Sequence, residues 1–194
     1  MRPMPPGVRA ILIVTIASFL LQIGAGDGMI GSFGLWPLQG NFMPWQLVTY
    51  AFLHGGIAHL AFNMYGLWMF GSELEYLLGG RLFFKLYFAS ILSAGLMQLL
   101  VASLAGGVYP TVGASGGVFG LLLAYGMFFP NRVIMLLIPP IPLPAWLFVI
   151  LYAIMELMLG VTGTQAGVAH FAHIGGMIGG YIIIRRWRRR GRRH

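Results

Sequence analysis

The sequence predicts an all-α fold: a polytopic membrane protein whose six transmembrane helices form one bundle. Hydrophobic residues make up 58% of the 194 residues and charged residues only 8%, whereas a soluble domain carries about 25% charged residues. Six apolar runs each approach the ~20 residues that a helix needs to cross a bilayer. They cover residues 8–23, 55–70, 82–105, 115–129, a proline-interrupted stretch ending near 159, and 170–184. Because the segments between them are short, we expect one membrane domain over residues 1–194.

The distribution of basic residues predicts the orientation of these spans. Arg2 and Arg9 lie before or at the start of span one, Arg81 and Lys85 follow span two, Arg132 follows span four, and the arginine cluster follows span six. The opposite loops, residues 24–54, 106–114 and 160–169, contain neither residue. Since loops rich in Lys and Arg stay in the cytoplasm, both termini are expected to be cytoplasmic. The small size of the chain favours the inner membrane of a prokaryotic cell.

Most of the net charge of +8 comes from residues 185–194, which directly follow the last apolar run. A basic cluster in that position typically binds anionic lipid headgroups. We therefore interpret it as a cytoplasmic tail that contacts lipid, and we expect no nucleic-acid partner. Its arginines are Arg185, Arg186, Arg188, Arg189, Arg190, Arg192 and Arg193.

Prolines interrupt the start of the fifth span. Proline lacks an N–H and does not fit inside a regular helix, and four prolines lie between residues 139 and 144. The helix is therefore predicted to begin near Leu143, with Val133–Ile138 as a membrane-dipping cytoplasmic loop. The chain has no cysteine, which excludes a thiol nucleophile, a disulfide and a thiolate metal site.

Four polar residues in the apolar runs are predicted to lie at one depth. At ~1.5 Å per helical residue, Ser115 lies about 22 Å above the cytoplasmic end of its span and His59 about 24 Å. The same count places Asn63 and His173 about 18 Å up. In a hydrocarbon core ~30 Å thick, all four occupy one layer below the outer surface. Polar groups there are costly and usually functional.

These residue types suit nucleophilic catalysis. A serine hydroxyl becomes a good nucleophile when a neighbouring base accepts its proton, and neutral histidine is the common base. Ser115 and His173 would form this pair, and the Ser115 amide with His59 and Asn63 would stabilise an oxyanion. Glycines spaced four apart beside Ser115 and His173 would let the helix backbones approach closely.

No carboxylate is placed to complete a triad. Glu73 and Glu75 lie at the cytoplasmic end of a span and Asp27 lies in a loop, so a Ser–His dyad is the predicted arrangement. Glu156, within span five, is left with three interpretations: a snorkelling residue, a helix–helix hydrogen bond or an element of a gate. Glu75 is expected to cap a helix or to pair with Arg81 or Lys85.

The motifs resemble those of the rhomboid family of intramembrane serine proteases, over nearly the whole chain from Trp45 to about Gly180. His173, rather than His170, is similar to the family's catalytic histidine, and we interpret His170 as an interfacial residue. The matching motifs are His54-x4-His59-x3-Asn63, Gly71-x3-Glu75-x3-Gly79, Gly113-Ala114-Ser115-Gly116 and Ala172-His173-Ile174-Gly175-Gly176, together with Phe119 one turn after the serine.

The resemblance implies a rhomboid-like membrane domain that cleaves transmembrane protein substrates near the outer membrane face, without metal or cofactor. The substrate would enter sideways past span five and an outer loop. The resemblance also gives Phe119 a packing role against the histidine, and His54 is expected to brace the outer loop. One departure is Gln46, which follows Trp45 where the family often has arginine.

Three rival interpretations make different predictions. A catalytically inactive relative would usually lack Ser115 or His173, and both are present. A metal site formed by His59, His170 and His173 is disfavoured, because the sequence has no His-Glu-x-x-His pattern and no carboxylate is predicted at that depth. A proton-coupled transporter would show internal repeats with broken helices in matching halves, and the sequence shows none.

Overall fold

A computed structural model describes residues 3–135, 140–162 and 169–191. Within these ranges the chain is a helical bundle with one short hairpin, so the predicted all-α membrane fold is confirmed. The helices are α1 Pro6–Ala25, α2 Asp27–Phe33, α3 Gln46–Thr49, α4 Ile57–Gly66, α5 Ser72–Leu78, α6 Gly80–Ala105, α7 Ser115–Phe128, α8 Ala145–Thr162 and α9 His170–Gly191, and the strands are β1 Val133–Met135 and β2 Pro142–Pro144.

Each of the six apolar runs contains a helix in its described part. A π-helical turn, Leu67–Gly71, joins α4 and α5 into one continuous helix. In the described part of the chain, α1, α6 and α8 are long and apolar enough by themselves to cross a membrane. The spanning role of the other three helices stays a prediction.

Helix α9 packs against α6, α7 and α8 and uses glycines on two faces. A Cβ on Gly175 or Gly179 would meet α6, 2.8 Å from the Ser93 carbonyl oxygen and 2.6 Å from that of Ala89 respectively. A Cβ on Gly180 would lie 2.8 Å from the Gly120 carbonyl oxygen of α7. The glycine spacing therefore reflects two close helix crossings, as expected for small residues four apart.

Glu75 ties the start of α1 to α5. The N–H groups of Gly7 and Val8 donate to its two carboxylate oxygens at 2.8 and 2.7 Å. The first N–H groups of a helix have no partner within the helix, and a carboxylate also complements the positive end of the helix dipole. Of the two roles expected for Glu75, the structure shows the cap.

The segment before α8 forms a hairpin instead of the predicted loop. Strand β1 pairs antiparallel with β2, with Ile134 opposite Leu143. Proline fixes φ near the extended range, so Pro142 and Pro144 stabilise a strand here. The N–H of Ala145 then donates to the Arg132 carbonyl at 2.8 Å and α8 begins. Residues 136–139, the rest of the predicted loop and Pro139, lie outside the described residues.

Gln46, the residue that follows Trp45 where the family often has arginine, holds the segment between α2 and α3. Its Oε1 accepts from the N–H groups of Trp36 at 3.2 Å and Met43 at 3.1 Å. Its Nε2 donates to the carbonyls of Asn41 and Ser32 at 3.2 and 3.3 Å. With only 1% of its surface exposed, this amide satisfies several loop backbone groups at once. Asp27, which we expected in a loop, is the first residue of α2.

The basic segment is helical up to Gly191 because α9 continues to that residue. Arg188 donates to the Met127 carbonyl at 2.9 Å, at the C-terminus of α7, and lies 4.8 Å from the Phe128 ring centroid. A cation is favourable at the negative end of a helix. At least this arginine therefore packs against protein. Arg192 and Arg193 lie outside the described residues, as do Arg2 and residues 163–168 between α8 and α9.

Candidate active site

Ser115 and His173 meet where α7 begins beside α9. Ser115 is the first residue of α7, so its side chain and N–H point from a helix N-terminus. His173 lies in the first turn of α9, and its Nε2 is 2.8 Å from Ser115 Oγ. This separation is that of a hydrogen bond, and it places a base against a hydroxyl.

Glycine contacts make this approach possible. Gly176, one turn after His173, faces Gly116 so closely that a Cβ on it would overlap the Gly116 carbonyl oxygen. A side chain on Gly176 would therefore separate the two backbones. The hydrogen bond between Ser115 and His173 therefore depends on residues that have no role in the chemistry itself.

Phe119 fixes the plane of the His173 ring. The two rings stack with centroids 4.2 Å apart and planes only 5° from parallel. Phe119 lies one helical turn after Ser115 on α7, so its ring reaches the same level as the hydroxyl. Stacking limits rotation of the imidazole and keeps its ring edge toward Ser115.

The expectation that no carboxylate lies beside this pair is wrong. Glu156 Oε2 lies 2.8 Å from Nδ1 of His173 and 2.6 Å from Nδ1 of His170. Of the three interpretations of Glu156, the structure shows the helix–helix hydrogen bond. His170 is only 4% exposed, so its interpretation as an interfacial residue is also wrong.

The carboxylate determines the tautomer of His173. An ionised carboxylate only accepts hydrogen bonds, so the Nδ1 atom that faces it carries the proton. Nε2 of the neutral ring then presents a lone pair, and Ser115 Oγ lies in front of it. The imidazole is thus arranged to accept the hydroxyl proton.

His59 lines the same cavity, which measures about 950 Å³. Its Nδ1 accepts from the Gly55 N–H at 3.4 Å, which leaves the proton of the neutral ring on Nε2 as a donor. A Cβ on Gly113 would lie 2.8 Å from that Nε2. The ring therefore covers the backbone just before Ser115.

Asn63 lies beside His59 in this cavity wall and is 5% exposed. Its Nδ2 donates to the His59 carbonyl at 3.0 Å. A carboxamide nitrogen has two N–H donors, and this bond uses one of them. The structure thus places Ser115, His173, His59 and Asn63 around one cavity.

The loop before Ser115 is held by backbone and imidazole contacts. Gly113 has φ of +129°, a range that favours glycine, and its N–H donates to the Tyr50 carbonyl at 2.9 Å. His54 Nε2 accepts from the Ala114 N–H at 3.4 Å. His54 lies outside the spanning helices, and burial, with the nearby His59 as a smaller cause, lowers its pKa to about 4. The neutral ring keeps its acceptor, which is the contact that a bracing residue makes.

Gln22 of α1 in turn holds the backbone of His54. Its Oε1 accepts from the His54 N–H at 3.0 Å and its Nε2 donates to the His54 carbonyl at 2.7 Å. Sequence analysis did not single out Gln22. The sequence did carry a signal, because Gln22 is a polar amide within an otherwise apolar span. Such a side chain needs a polar partner inside the membrane.

The residues Glu156, His170 and His173 also have the composition of a metal site. Their ligand atoms lie within 4.8 Å of one another. The sequence-based objection to a metal site, that no carboxylate lies at this depth, is therefore wrong. Tetrahedral zinc with ligands at 2.0–2.2 Å would separate them by about 3.3 Å. Both nitrogens lie closer than that to Oε2, at 2.6 and 2.8 Å. These distances fit N–H donors to a carboxylate better than ligands around an ion.

Comparison with known proteins agrees with the motifs. A family model described as the Rhomboid domain matches residues 41–190. Mitochondrial rhomboid protein 1 of Saccharomyces cerevisiae is 34% identical over 146 residues, covering 71% of this chain and 40% of that protein. Rhomboid protease GluP of Bacillus subtilis is 32% identical over 165 residues, covering 84% and 28%.

Rhomboid protease GlpG of Serratia proteamaculans is 30% identical over 196 residues, covering 99% of this chain and 65% of that protein. The chain therefore spans 28 to 65% of the length of these three relatives. The matched part of this chain includes every residue of the cavity described above, from Tyr50 to His173.

Proposed function

Because this chain belongs to the rhomboid family, we propose that it is an intramembrane serine endopeptidase that uses Ser115 and His173. The observation that carries the proposal is the 2.8 Å contact between Ser115 Oγ and His173 Nε2, beside a cavity that several polar side chains line. The relatives named as rhomboid proteases support the same reaction class.

In this mechanism Ser115 Oγ attacks the scissile carbonyl while His173 Nε2 takes the hydroxyl proton. The carbonyl oxygen becomes an oxyanion, which accepts hydrogen bonds from the Ser115 N–H at the helix N-terminus, from His59 Nε2 and from Asn63 Nδ2. The proton on His173 then passes to the leaving amine, and an acyl-enzyme forms. Water, with His173 again as base, hydrolyses this ester and regenerates Ser115.

The substrates in this proposal are transmembrane proteins, cut near the outer membrane face. Helix α8 is the proposed side of entry because little of it is buried within the protein, and Phe148 and Tyr152 line the cavity from this helix. The positive-inside rule supports cytoplasmic termini. Arginines of residues 185–194 that do not pack on α7 would contact anionic lipid headgroups.

A fluorophosphonate probe tests the nucleophile directly. We expect covalent labelling of the purified protein at Ser115, mapped by mass spectrometry, and no labelling of Ser115→Ala. Cleavage of a transmembrane substrate in proteoliposomes should continue in the presence of EDTA. Labelling that persists in Ser115→Ala would contradict the proposal, and cleavage that requires added metal would favour a metal mechanism instead.

Removing His59 or Asn63, the proposed oxyanion donors, is expected to lower the rate less than removing the nucleophile does. Each of His59→Ala and Asn63→Ala should lower kcat by about 10²-fold or less, because the remaining donors compensate in part. The double variant should lose more than either single variant, with the substrate KM little changed. Full kcat in the double variant would remove both residues from the mechanism. A thermal-unfolding measurement on each variant separates this loss from misfolding.

A further inference from the structure

Glu156 is a buried charged residue that the two-residue mechanism does not use. It lies on α8 with 5% of its surface exposed, eleven residues after the helix begins at Ala145. Removing a carboxylate from water is costly unless hydrogen bonds compensate. Here one carboxylate oxygen, Oε2, accepts hydrogen bonds from Nδ1 of both His170 and His173.

We propose that Glu156 is a positioning residue of the active site, so that Ser115, His173 and Glu156 act as a triad, with His170 holding the carboxylate in place. The inference rests on the proposed proteolytic function. It differs from the dyad expected from the sequence, in which His173 has only Ser115 as a polar partner.

The geometry gives Glu156 two effects on His173. Its bond to Nδ1 keeps the proton on that nitrogen, so that the lone pair of Nε2 remains toward Ser115 Oγ at 2.8 Å. When Nε2 accepts the serine proton the ring becomes a cation, and the adjacent carboxylate compensates that charge. Glu156 stays ionised throughout and takes no proton.

His170 explains how a flexible side chain keeps this position. It lies three residues before His173 on α9, on the same helix face, and its Nδ1 approaches the same oxygen at 2.6 Å. With His170 and His173 both donating, Oε2 is fixed between two points on one helix. Loss of either donor would let the carboxylate move away from the ring edge of His173.

The alternative is that Glu156 only joins α8 to α9. A structural tie and a positioning residue both predict lower stability when the side chain is removed. Only the positioning role predicts a loss of kcat in a variant that keeps its shape and stability. Glutamine has the size of glutamate without its charge, so Glu156→Gln is the informative substitution.

We expect Glu156→Gln to lower kcat by about 10²-fold or more, with KM within threefold of the wild type and an unchanged melting temperature in detergent. Glu73→Gln is the matched control, because Glu73 forms an exposed ion pair with Arg132 at 3.0 Å and is not among the residues that line the cavity. It should leave kcat unchanged.

Chemical rescue adds a readout that a structural tie would not move. Truncation of Glu156 to alanine removes a fragment the size of acetate from the cavity wall. Added acetate should raise the kcat of Glu156→Ala at least tenfold, whereas neutral acetamide should not. His170→Ala should lower kcat about tenfold, the value of one hydrogen bond to a charged group, and His170→Asn should lose less.

Wild-type kcat in a folded Glu156→Gln would overturn the inference and leave the Ser115 chemistry intact. Equal rescue by acetate and acetamide would also overturn it, since the carboxylate charge would then be irrelevant. Metal-dependent activity would assign the three residues to an ion instead. If the wild type itself hydrolyses no substrate and Ser115 takes no probe, it is the proposed proteolytic function that fails.

Discussion

Ser115→Ala is expected to abolish proteolysis in proteoliposomes, and His173→Ala to lower kcat by about 10⁴-fold or more. The two residues act as one unit, because the hydroxyl is a weak nucleophile without the base and the base has no proton to accept without the hydroxyl. The double variant should therefore be no slower than either single variant.

Ser103→Ala is the matched control for this experiment. Ser103 lies on α6, and no hydrogen-bond partner to its buried Oγ is found in the described part of the chain, so its removal should not change kcat. All variants should unfold at temperatures close to the wild type. Additive losses in the double variant, or kcat within tenfold of the wild type in His173→Ala, would show that the two residues do not cooperate.

The main pair was predictable because a polar residue stands out in an apolar chain. A helix rises by a fixed distance per residue, so counting from the helix ends that carry the charged residues placed Ser115 and His173 at similar depth. The structure joins them at 2.8 Å. The glycines beside them indicated a close crossing, but only the structure shows which glycine faces which helix.

Glu156 was not predicted to belong to the site, although the same count of helix rise places it at the right depth. Eleven residues above Ala145, at ~1.5 Å each, give about 16 Å, the same layer as His173. The prolines before α8 obscured where the count should begin. Depth alone also gives no rotation about the helix axis, so the sequence could not show that Glu156 faces His170 and His173 rather than lipid.

The hairpin before α8 could not be predicted for a different reason. Proline argues against a helix interior, and the described residues 140–144 are indeed not helical. The pairing of Val133–Met135 with Pro142–Pro144 depends on contacts between segments that have no regular alternation. A loop and a short proline-containing hairpin therefore have the same signature in this sequence.

Gly176→Ala is expected to damage both the stability and the activity of the protein. A Cβ on Gly176 overlaps the Gly116 carbonyl oxygen, and neither backbone can yield without separating α9 from α7. Overpacking of this kind typically costs about 1–3 kcal/mol. The separation would also lengthen the contact between Ser115 and His173, and a displacement of about 1 Å at a reacting pair costs about 10²-fold in rate.

The measurements are the melting temperature and kcat of Gly176→Ala and Gly176→Val, with the valine variant expected to show no detectable turnover. Gly24→Ala on α1 is the matched control, because a Cβ there meets nothing within 4 Å. Alanine is also the better helix former by about 1 kcal/mol, so this control should be as stable as the wild type or more stable. If Gly176→Ala matched it in both measurements, the close crossing of α7 and α9 would not be what holds Ser115 against His173.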